Sequence, residues 1–549
     1  MAALLTSSRA IRACSACIRR NEGSPLTTPV YSSIQTVGAS LIFQSVSLLV
    51  GKRYINYWDA MHQKQSSIPK GSLMGGLQTP AESDDIKKRR ANSRITRVGV
   101  DATSAEMSNP TLSLESLLSD PNEEPEPSLR LSASDAAKQT DIPTNVRMLT
   151  RDFIDTSLYH PNYGYFSKKA YIFSPPEIIP FNKIKDNYSF MNYMAKMYKD
   201  IEEDYIHDPN VARQVWHTPT ELFRPFYGYA VAKHMVSEYK RDSRGAKNMI
   251  IYEIGAGNGT LMSNIMDYIS INEPGIYKTV EYNIIEISTH LAGKQTKSKL
   301  LRHRAIKTTR AHKGVRIINK SVLEWDEVVL DPCFFVAMEV IDNLSHDLIR
   351  YDSITNTPLQ GIVFSSSDSD YQQAYEPLTD PLIKEYLDVR SSTGYKTPTL
   401  GMLSTLLAPV RRLLPFSANM SSPEFVPTST FQLLHTLKRY FPQHRLVISD
   451  FDSLPDAIPG IDAPVVQTRY QGNMVACSTY LVQPGWFDIF FPTNFQLLKS
   501  VYTKVTGRDA RVVTQKQFLE ENADLEKTRT QSGENPMLSF YENFKFILS

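Results

Sequence analysis

The stretch that most constrains the fold is Met249-Ile-Ile-Tyr-Glu-Ile-Gly-Ala-Gly-Asn-Gly-Thr-Leu-Met-Ser-Asn-Ile265. Its opening, Met249 to Ile254, is a short β-branched apolar run of the kind a parallel strand buried on both faces requires. Glycines follow at alternate positions, Gly255, Gly257 and Gly259, and then apolar residues at helical spacing, Leu261, Met262, Ile265 and Met266. Strand, glycine turn and helix make the first half of a nucleotide-binding βαβ unit. In such a unit the missing side chains let the backbone close on a ligand at a helix N-terminus.

The spacing narrows the ligand. A dinucleotide fold reads G-x-G-x-x-G and offers amides to a pyrophosphate. Here the pattern is Glu253-x-Gly255-x-Gly257-x-Gly259, with a carboxylate two residues before the first glycine. A carboxylate suits a cation better than a phosphate, and S-adenosylmethionine carries a sulfonium and an ammonium but no phosphate. The pattern resembles the signature of class I methyltransferases. Alone it is weak, because glycine turns are common punctuation. A second β-branched run, Glu281 to Ser288, contains Glu286, placed where a carboxylate accepts both ribose hydroxyls as hydrogen bonds. The alternative for Glu286 is a solvated strand-end charge, which the pairing of the two motifs disfavours.

With 549 residues, 41% of them hydrophobic, the chain has room for two or three domain-sized units, and a net charge of +2 implies no general attraction to polyanions. No nucleic-acid partner is expected. The cysteines Cys14, Cys17, Cys333 and Cys477 are too few for a disulfide framework, and no second ligand pair stands near Cys14 and Cys17 to make a metal site. Residues 1–58 hold Arg9, Arg12, Arg19, Arg20, Lys52 and Arg53 against the single acid Glu22, and are rich in Ser, Ala and Thr. That is the composition of a mitochondrial transit peptide. The apolar part of Val37 to Val50 is too short and interrupted for a membrane span. Residues 59–141 read as a disordered linker. Lys87 to Arg90 form a basic run, Glu123 to Pro127 an acidic proline-broken one, and little apolar periodicity lies between.

Order is expected from Ile142, where Val146, Leu149, Phe153, Ile154 and Leu158 recur at helical spacing. An aromatic turn, Tyr159 to Phe166, follows. Trp216 to Gly228 then leads into a helix over Tyr229 to Tyr239, just before the glycine strand.

At this point the chain resembles the MidA-type methyltransferases, the family of the mitochondrial complex I assembly factor that methylates arginine. The matches are Leu158-Tyr159-His-Pro161-Asn-Tyr163-Gly164-Tyr165-Phe166, then Thr218-Pro-Thr-Glu221 with Tyr227-Gly228, then the glycine motif. Glu286-Ile-Ser288 with Leu291 and Gln295 continues the family order, as does Phe334-Phe-Val-Ala-Met-Glu339-Val-Ile-Asp342-Asn-Leu344. Glu424, Leu446 to Asp450, and Gly485-Trp-Phe-Asp488-Ile489 match later landmarks, so the resemblance spans about Ile142 to Leu519. The chain departs from the family at Met338, Asn343, Ser345 and Asp452, all on the acceptor side. It also carries an extra segment, about Ser167 to Val215, whose plain reading is a surface excursion.

The resemblance implies a Rossmann-like seven-stranded α/β class I methyltransferase sheet with an N-terminal helical arm (142–245) and a cofactor half (246–352). An inserted helical cap (353–427) and a C-terminal part (428–549) complete it. The implied cofactor is S-adenosyl-L-methionine. Gly255, Gly257 and Gly259 would let the backbone approach its methionine moiety, Glu253 would orient neighbours or face the ammonium, Glu286 would hold the ribose, and Ser321 would stand near the adenine. Glu339 and Asp342 are the candidate catalytic residues, a carboxylate pair able to grip a guanidinium bidentately. A helix cap with a first-turn acid explains the same spacing. Thr218 and Glu221 are substrate-side candidates, or else a capping box. The implied partner is a protein substrate such as a respiratory complex I subunit, in the mitochondrial matrix. Two other readings stay open: a non-catalytic assembly factor on the same fold, and a dinucleotide oxidoreductase. The second lacks its third glycine, since Thr260 stands there.

Overall fold

The computed structural model describes residues 129–549 except 169–170, 206–214, 242–247, 298–311, 353–354, 367–369, 396–419, 455–462 and 471–472. The expected transit peptide, the two basic and acidic runs of the linker, and the apolar stretch Leu400 to Leu414 lie outside the described residues.

A seven-stranded sheet forms the centre. Its strands in chain order are β1 (Ile250–Ile254), β2 (Glu281–Ile285), β3 (Val315–Ile318), β4 (Cys333–Met338), β5 (His444–Phe451), β6 (Arg511–Thr514) and β7 (Phe544–Leu548). They lie side by side as β6-β7-β5-β4-β1-β2-β3. The run from β5 through β4 and β1 to β3 is parallel, and β7 is antiparallel to both its neighbours.

The apolar sequence of these strands follows from burial on both faces. Ile251, Tyr282, Ile284, Phe334 and Val336 pack with Leu261, Ile265 and Met266 of helix Thr260–Asn272. Their neighbours along the strands, Tyr252, Ile254, Ile285, Phe335 and Ala337, pack with Phe431, Leu434 and Leu437 of helix Thr428–Tyr440. Each such side chain contributes about 1.5–3 kcal/mol on burial, which fixes the register. Ile254 stands opposite Ile285 and Ala337, and Ser449 opposite Met338. Gly255, Glu286, Glu339 and Asp450 therefore emerge together along one carboxyl edge, where α/β sheets bind ligands.

Four expectations need correction. Val146–Leu149 is a strand, and the helix begins only at Thr150 and runs to Tyr159. The strand pairs antiparallel with Pro358–Ser365, Leu149 opposite Ile362. Val146 and Met148 thus reach the same core as Phe153, Ile154 and Leu158 by strand alternation rather than by helical period.

Among the described residues, the expected helical cap holds more strand than helix. Pro358–Ser365 and Tyr371–Pro377 form an antiparallel pair inside a six-stranded sheet, and the helix Pro381–Ser392 follows them. The Tyr371–Pro377 strand packs only partly against the core, so its sequence carries no clear alternation.

Residues 129–141, expected to belong to the disordered linker, are folded. Leu129–Arg130 pairs with Val146 and Arg147, and Leu131 and Ala136 are buried.

Finally, the extra segment after Ser167 is no surface excursion. Phe173, Phe181 and Phe190 are fully buried in the cluster that holds Leu261 and Met262. Phe181 stacks on Phe223 with centroids 5.7 Å apart, and Phe190 meets Phe540 edge-on at 4.9 Å. Aromatic rings carry large apolar area, but the sequence alone does not say what they face. No helix of the described residues is long and apolar enough to cross a membrane.

Candidate active site

The glycine turn sits at the end of β1. Gly255 and Gly257 hold φ of +63° and +53°, a region open to glycine at little cost, and Gly259 caps the helix Thr260–Asn272 at φ +79°. A Cβ on Gly257 would lie 2.6 Å from Ile172 Cδ1, and one on Gly255 would lie 3.0 Å from Val340 Cγ2. The loop is thus closed between the Tyr171–Ile172 strand on one side and the turn after β4 on the other. Asn258 ties it further, its Nδ2 donating to the Ile172 carbonyl at 3.1 Å.

Glu286 ends β2 and is 3% exposed. Its Oε1 accepts the Ser288 amide at 3.0 Å and its Oε2 accepts Gln295 Nε2 at 3.0 Å. Gln295 also donates to the Gly257 carbonyl at 2.9 Å, so one side chain sets the acid relative to the loop. Burial raises the pKa of Glu286, and these two bonds oppose the shift. Glu253 is buried beneath the loop and accepts the Tyr282 hydroxyl at 2.9 Å. Burial, helped by the nearby charge of Glu286, pushes it up to about 8. Asn319, just past β3, donates to the Glu286 carbonyl at 2.7 Å. Ser321 caps the turn Val322–Glu324 by accepting the Leu323 amide at 3.3 Å.

At the end of β4 the backbone turns sharply. Glu339 has φ +55°, unusual for a residue with a side chain, and its N–H donates to the Ser449 carbonyl at 2.9 Å. Asp450, at the end of β5, holds the turn. Its Oδ2 accepts the amides of Val340, Ile341 and Asp342 at 3.1, 2.9 and 3.2 Å. Asp342 is 5% exposed, and its Oδ1 is buried with no partner among the described residues. Asp488 joins from the other side. Asn343 Nδ2 donates to its Oδ1 at 3.0 Å, while Oδ2 is buried and unpartnered.

Gly485, at φ +78°, seats the Asp488 loop, because any Cβ there would strike the Tyr163 carbonyl oxygen. Tyr159 closes the group by donating to the Asn343 carbonyl at 3.1 Å. Burial raises the pKa values of all four acids, and for Glu339 and Asp342 the charges of neighbouring carboxylates add to it. Glu339 and Asp342 are pushed well above the usual carboxylate range, Asp450 to about 7 and Asp488 to about 8.

The structure thus brings Glu253, Gly255, Gly257, Gly259 and Glu286 to one part of the edge, and Glu339 with Asp342 to the adjoining part. Ser321 stands past β3 as a cap. Thr218 Oγ1 accepts the Glu221 amide at 3.1 Å, half of a capping box, but Glu221 turns its carboxylate to the glycine loop instead of closing that box. His160 is a turn residue, stacked on Tyr163 and bonded through Nε2 to the Ala136 carbonyl. Asp450 and Asp488 count in the sequence only as landmarks, and Tyr159 and Gln295 only as motif positions. Nothing local signals that they converge. Asn343, a departure from the family, proves to be the donor that holds Asp488.

These features fit S-adenosyl-L-methionine. The loop is closed so that a side chain at Gly257 would displace Ile172 and one at Gly255 would crowd Val340, and Glu286 and Glu221 bring carboxylates to it. Glu286 keeps lone pairs free beside its two donors.

Comparison with known proteins agrees. Residues 230–514 match the profile of a family of S-adenosyl-L-methionine-dependent methyltransferases, and the chain belongs to that family. Its cofactor is S-adenosyl-L-methionine. The chain is also 20% identical, over 374 residues, to the protein arginine methyltransferase NDUFAF7 homolog, mitochondrial, of Schizosaccharomyces pombe. That match covers 60% of this chain and 75% of the relative. A crystal structure of a Burkholderia thailandensis protein bound to S-adenosyl-homocysteine is 13% identical, with a TM-score of 0.45, covering 73% of this chain and 88% of the other.

Proposed function

We propose that this chain is a class I, Rossmann-like methyltransferase that methylates arginine on a mitochondrial protein, a respiratory complex I subunit or assembly substrate being the expected acceptor. The observation that carries the reading is the pair of buried, unpartnered carboxylate oxygens, Asp342 Oδ1 and Asp488 Oδ2, beside Glu339. Buried polar atoms without partners are rare in native structures. Carboxylates crowded enough to raise one another's pKa gain from a bound cation, and a guanidinium meets such a pair with its fork of N–H donors. The name of the fission-yeast relative supports arginine, and that name together with the basic, serine-rich first 58 residues supports a mitochondrial location, the matrix being our proposal.

In this reading Gly255, Gly257 and Gly259 admit the methionine moiety, Glu286 holds the ribose and Ser321 borders the adenine. The bound cofactor supplies an electrophilic methyl group on a sulfonium. Glu339 and Asp342 hold the guanidinium so that one nitrogen lies in line with that methyl group. On transfer the C–S bond would break as the N–C bond forms, and Glu286 with the glycine turn would hold the neutral thioether that is left. The attacking nitrogen gives up its proton to a carboxylate of the cluster.

The test is transfer of labelled methyl groups from S-adenosyl-L-methionine by the full chain to mitochondrial proteins, followed by acid hydrolysis. Methylarginine supports the reading, and label on another residue type overturns arginine. Cofactor binding without any transfer moves the assignment to a non-catalytic assembly factor.

A further inference from the structure

One carboxylate beside the glycine loop is satisfied on one side only. Glu221 is 2% exposed, and its Oε1 accepts Asn258 Nδ2 at 3.0 Å and the Thr260 hydroxyl at 2.8 Å. Both donors flank Gly259, so this oxygen is fixed to the point where the loop becomes a helix. The other oxygen, Oε2, is fully enclosed, and no described residue donates to it. Leaving a buried acceptor unmatched costs about 1–3 kcal/mol, more for a charged group.

Where Glu221 faces is also defined. Its Oε1 is held at Asn258 and Thr260, and its charge is among those felt by Glu339, so the carboxylate belongs to the same edge of the sheet as the end of β4. Gly255 borders the same edge, next to Val340. The loop's own acid, Glu253, is engaged with Tyr282 underneath and is held largely protonated near neutral pH. It is poorly suited to pair with a cation. A capping role does not account for Glu221 either, because its carboxylate reaches the loop and not the Thr218 backbone.

We propose that Glu221 is a cofactor-binding residue whose Oε2 accepts the α-ammonium of the methionine moiety of S-adenosyl-L-methionine. This rests on the cofactor assignment above and moves Glu221 from the acceptor side to the cofactor side. An ammonium brings three N–H donors and a positive charge to the one oxygen that lacks both. Anchoring through Oε1 fixes that oxygen beside the glycine turn, so the amino-acid end of the ligand is oriented by the same residues that shape the loop.

The test is calorimetric titration of the full chain and its Glu221→Gln variant with S-adenosyl-L-methionine, S-adenosyl-homocysteine and methylthioadenosine. The last keeps the adenosine and the sulfur but has no ammonium. Glutamine retains an oxygen able to accept from Asn258 and Thr260. The expected result is about 10- to 100-fold weaker binding of the two ammonium-bearing ligands, the value of a charge-assisted hydrogen bond, with methylthioadenosine affinity unchanged. That unchanged affinity also shows that the variant is folded. Equal weakening of all three ligands overturns the proposal in favour of a loop-holding role. Loss confined to S-adenosyl-L-methionine overturns it in favour of the sulfonium, and no change for any ligand overturns it outright. A wild-type chain that binds none of the three overturns the cofactor assignment itself.

Discussion

The two parts of the sheet edge use the same side chain in opposite ways. At the end of β2 each oxygen of Glu286 has its own donor, and one of those donors, Gln295, also fixes the glycine loop. Past the end of β4, Asp342 and Asp488 each keep an enclosed oxygen with no donor among the described residues, and Glu339 sits on a backbone that side chains rarely adopt. The first arrangement sets a shape and needs only neutral hydroxyls to complete it. The second stores repulsion between neighbouring carboxyls and is completed by positive charge. Fixed shape dominates around Glu286 and crowded charge around Asp342 and Asp488; in the proposed reading these serve positioning and electrostatics in turn, with Glu221 Oε2 the unmatched charge beside the glycine loop.

The largest expected effect breaks the first side alone. Gly257→Val puts a branched side chain at φ +53° and against Ile172. Affinity for S-adenosyl-L-methionine, read by calorimetry, is expected to fall by more than about a hundredfold, since strain of this kind costs 1–3 kcal/mol before the collision is counted.

Breaking the second side should leave the first intact. Glu339→Gln with Asp342→Asn is expected to lower the methyl-transfer rate by roughly 100- to 1000-fold, the scale of losing preorganised charge stabilisation. Cofactor affinity should change by less than about threefold in a direct titration. A parallel loss of both would mean that the two parts are not separate.

The acceptor part should also be visible in stability, provided that the contribution of Asp488 is isolated by substitution. Burial pushes the Asp488 carboxyl up to about 8 in the folded chain, against an ordinary 3.8. The folded state therefore binds this proton more tightly than the unfolded one. That stabilisation is fully present below pH 3.8 and is lost as pH rises through about 8. Asp488→Asn should flatten the fall in urea midpoint across that window, by up to about 1.4 kcal/mol per pH unit. An unchanged slope would remove Asp488 from the crowded cluster.

The smallest effect is at Ser321. Its hydroxyl caps a short turn, so Ser321→Ala should cost about 0.5–1 kcal/mol of stability in chemical denaturation. Cofactor affinity should change by less than about threefold, as expected of a residue that only borders the adenine.

Much of the cofactor side was legible in the chain itself. β1, the three glycines and the helix after them are contiguous. Leu446 to Asp450, a landmark of the family resemblance, lies within β5. The acceptor side was legible only as isolated letters. Glu339 and Asp342 could be named, but Asp450, Asp488, Asn343 and Tyr159 come from separate elements. The wrong expectations have the same origin. Val146–Leu149 looks helical until Pro358–Ser365 supplies its backbone partners, and the aromatics of the extra segment look exposed until Phe223 and Phe540 cover them.

The sequence by itself determined what neighbouring residues settle among themselves. It set a strand apolar on both faces, a turn that only glycines make cheaply, and a helix begun at Gly259. Its motif order also placed the chain among methyltransferases. Only the tertiary structure decided which carboxylates share one space, which of their oxygens go unmatched, and that Glu221 reaches the glycine loop. Hydrogen bonds and charge repulsion depend on distances between segments far apart in the chain, and those distances exist only once the sheet register is fixed.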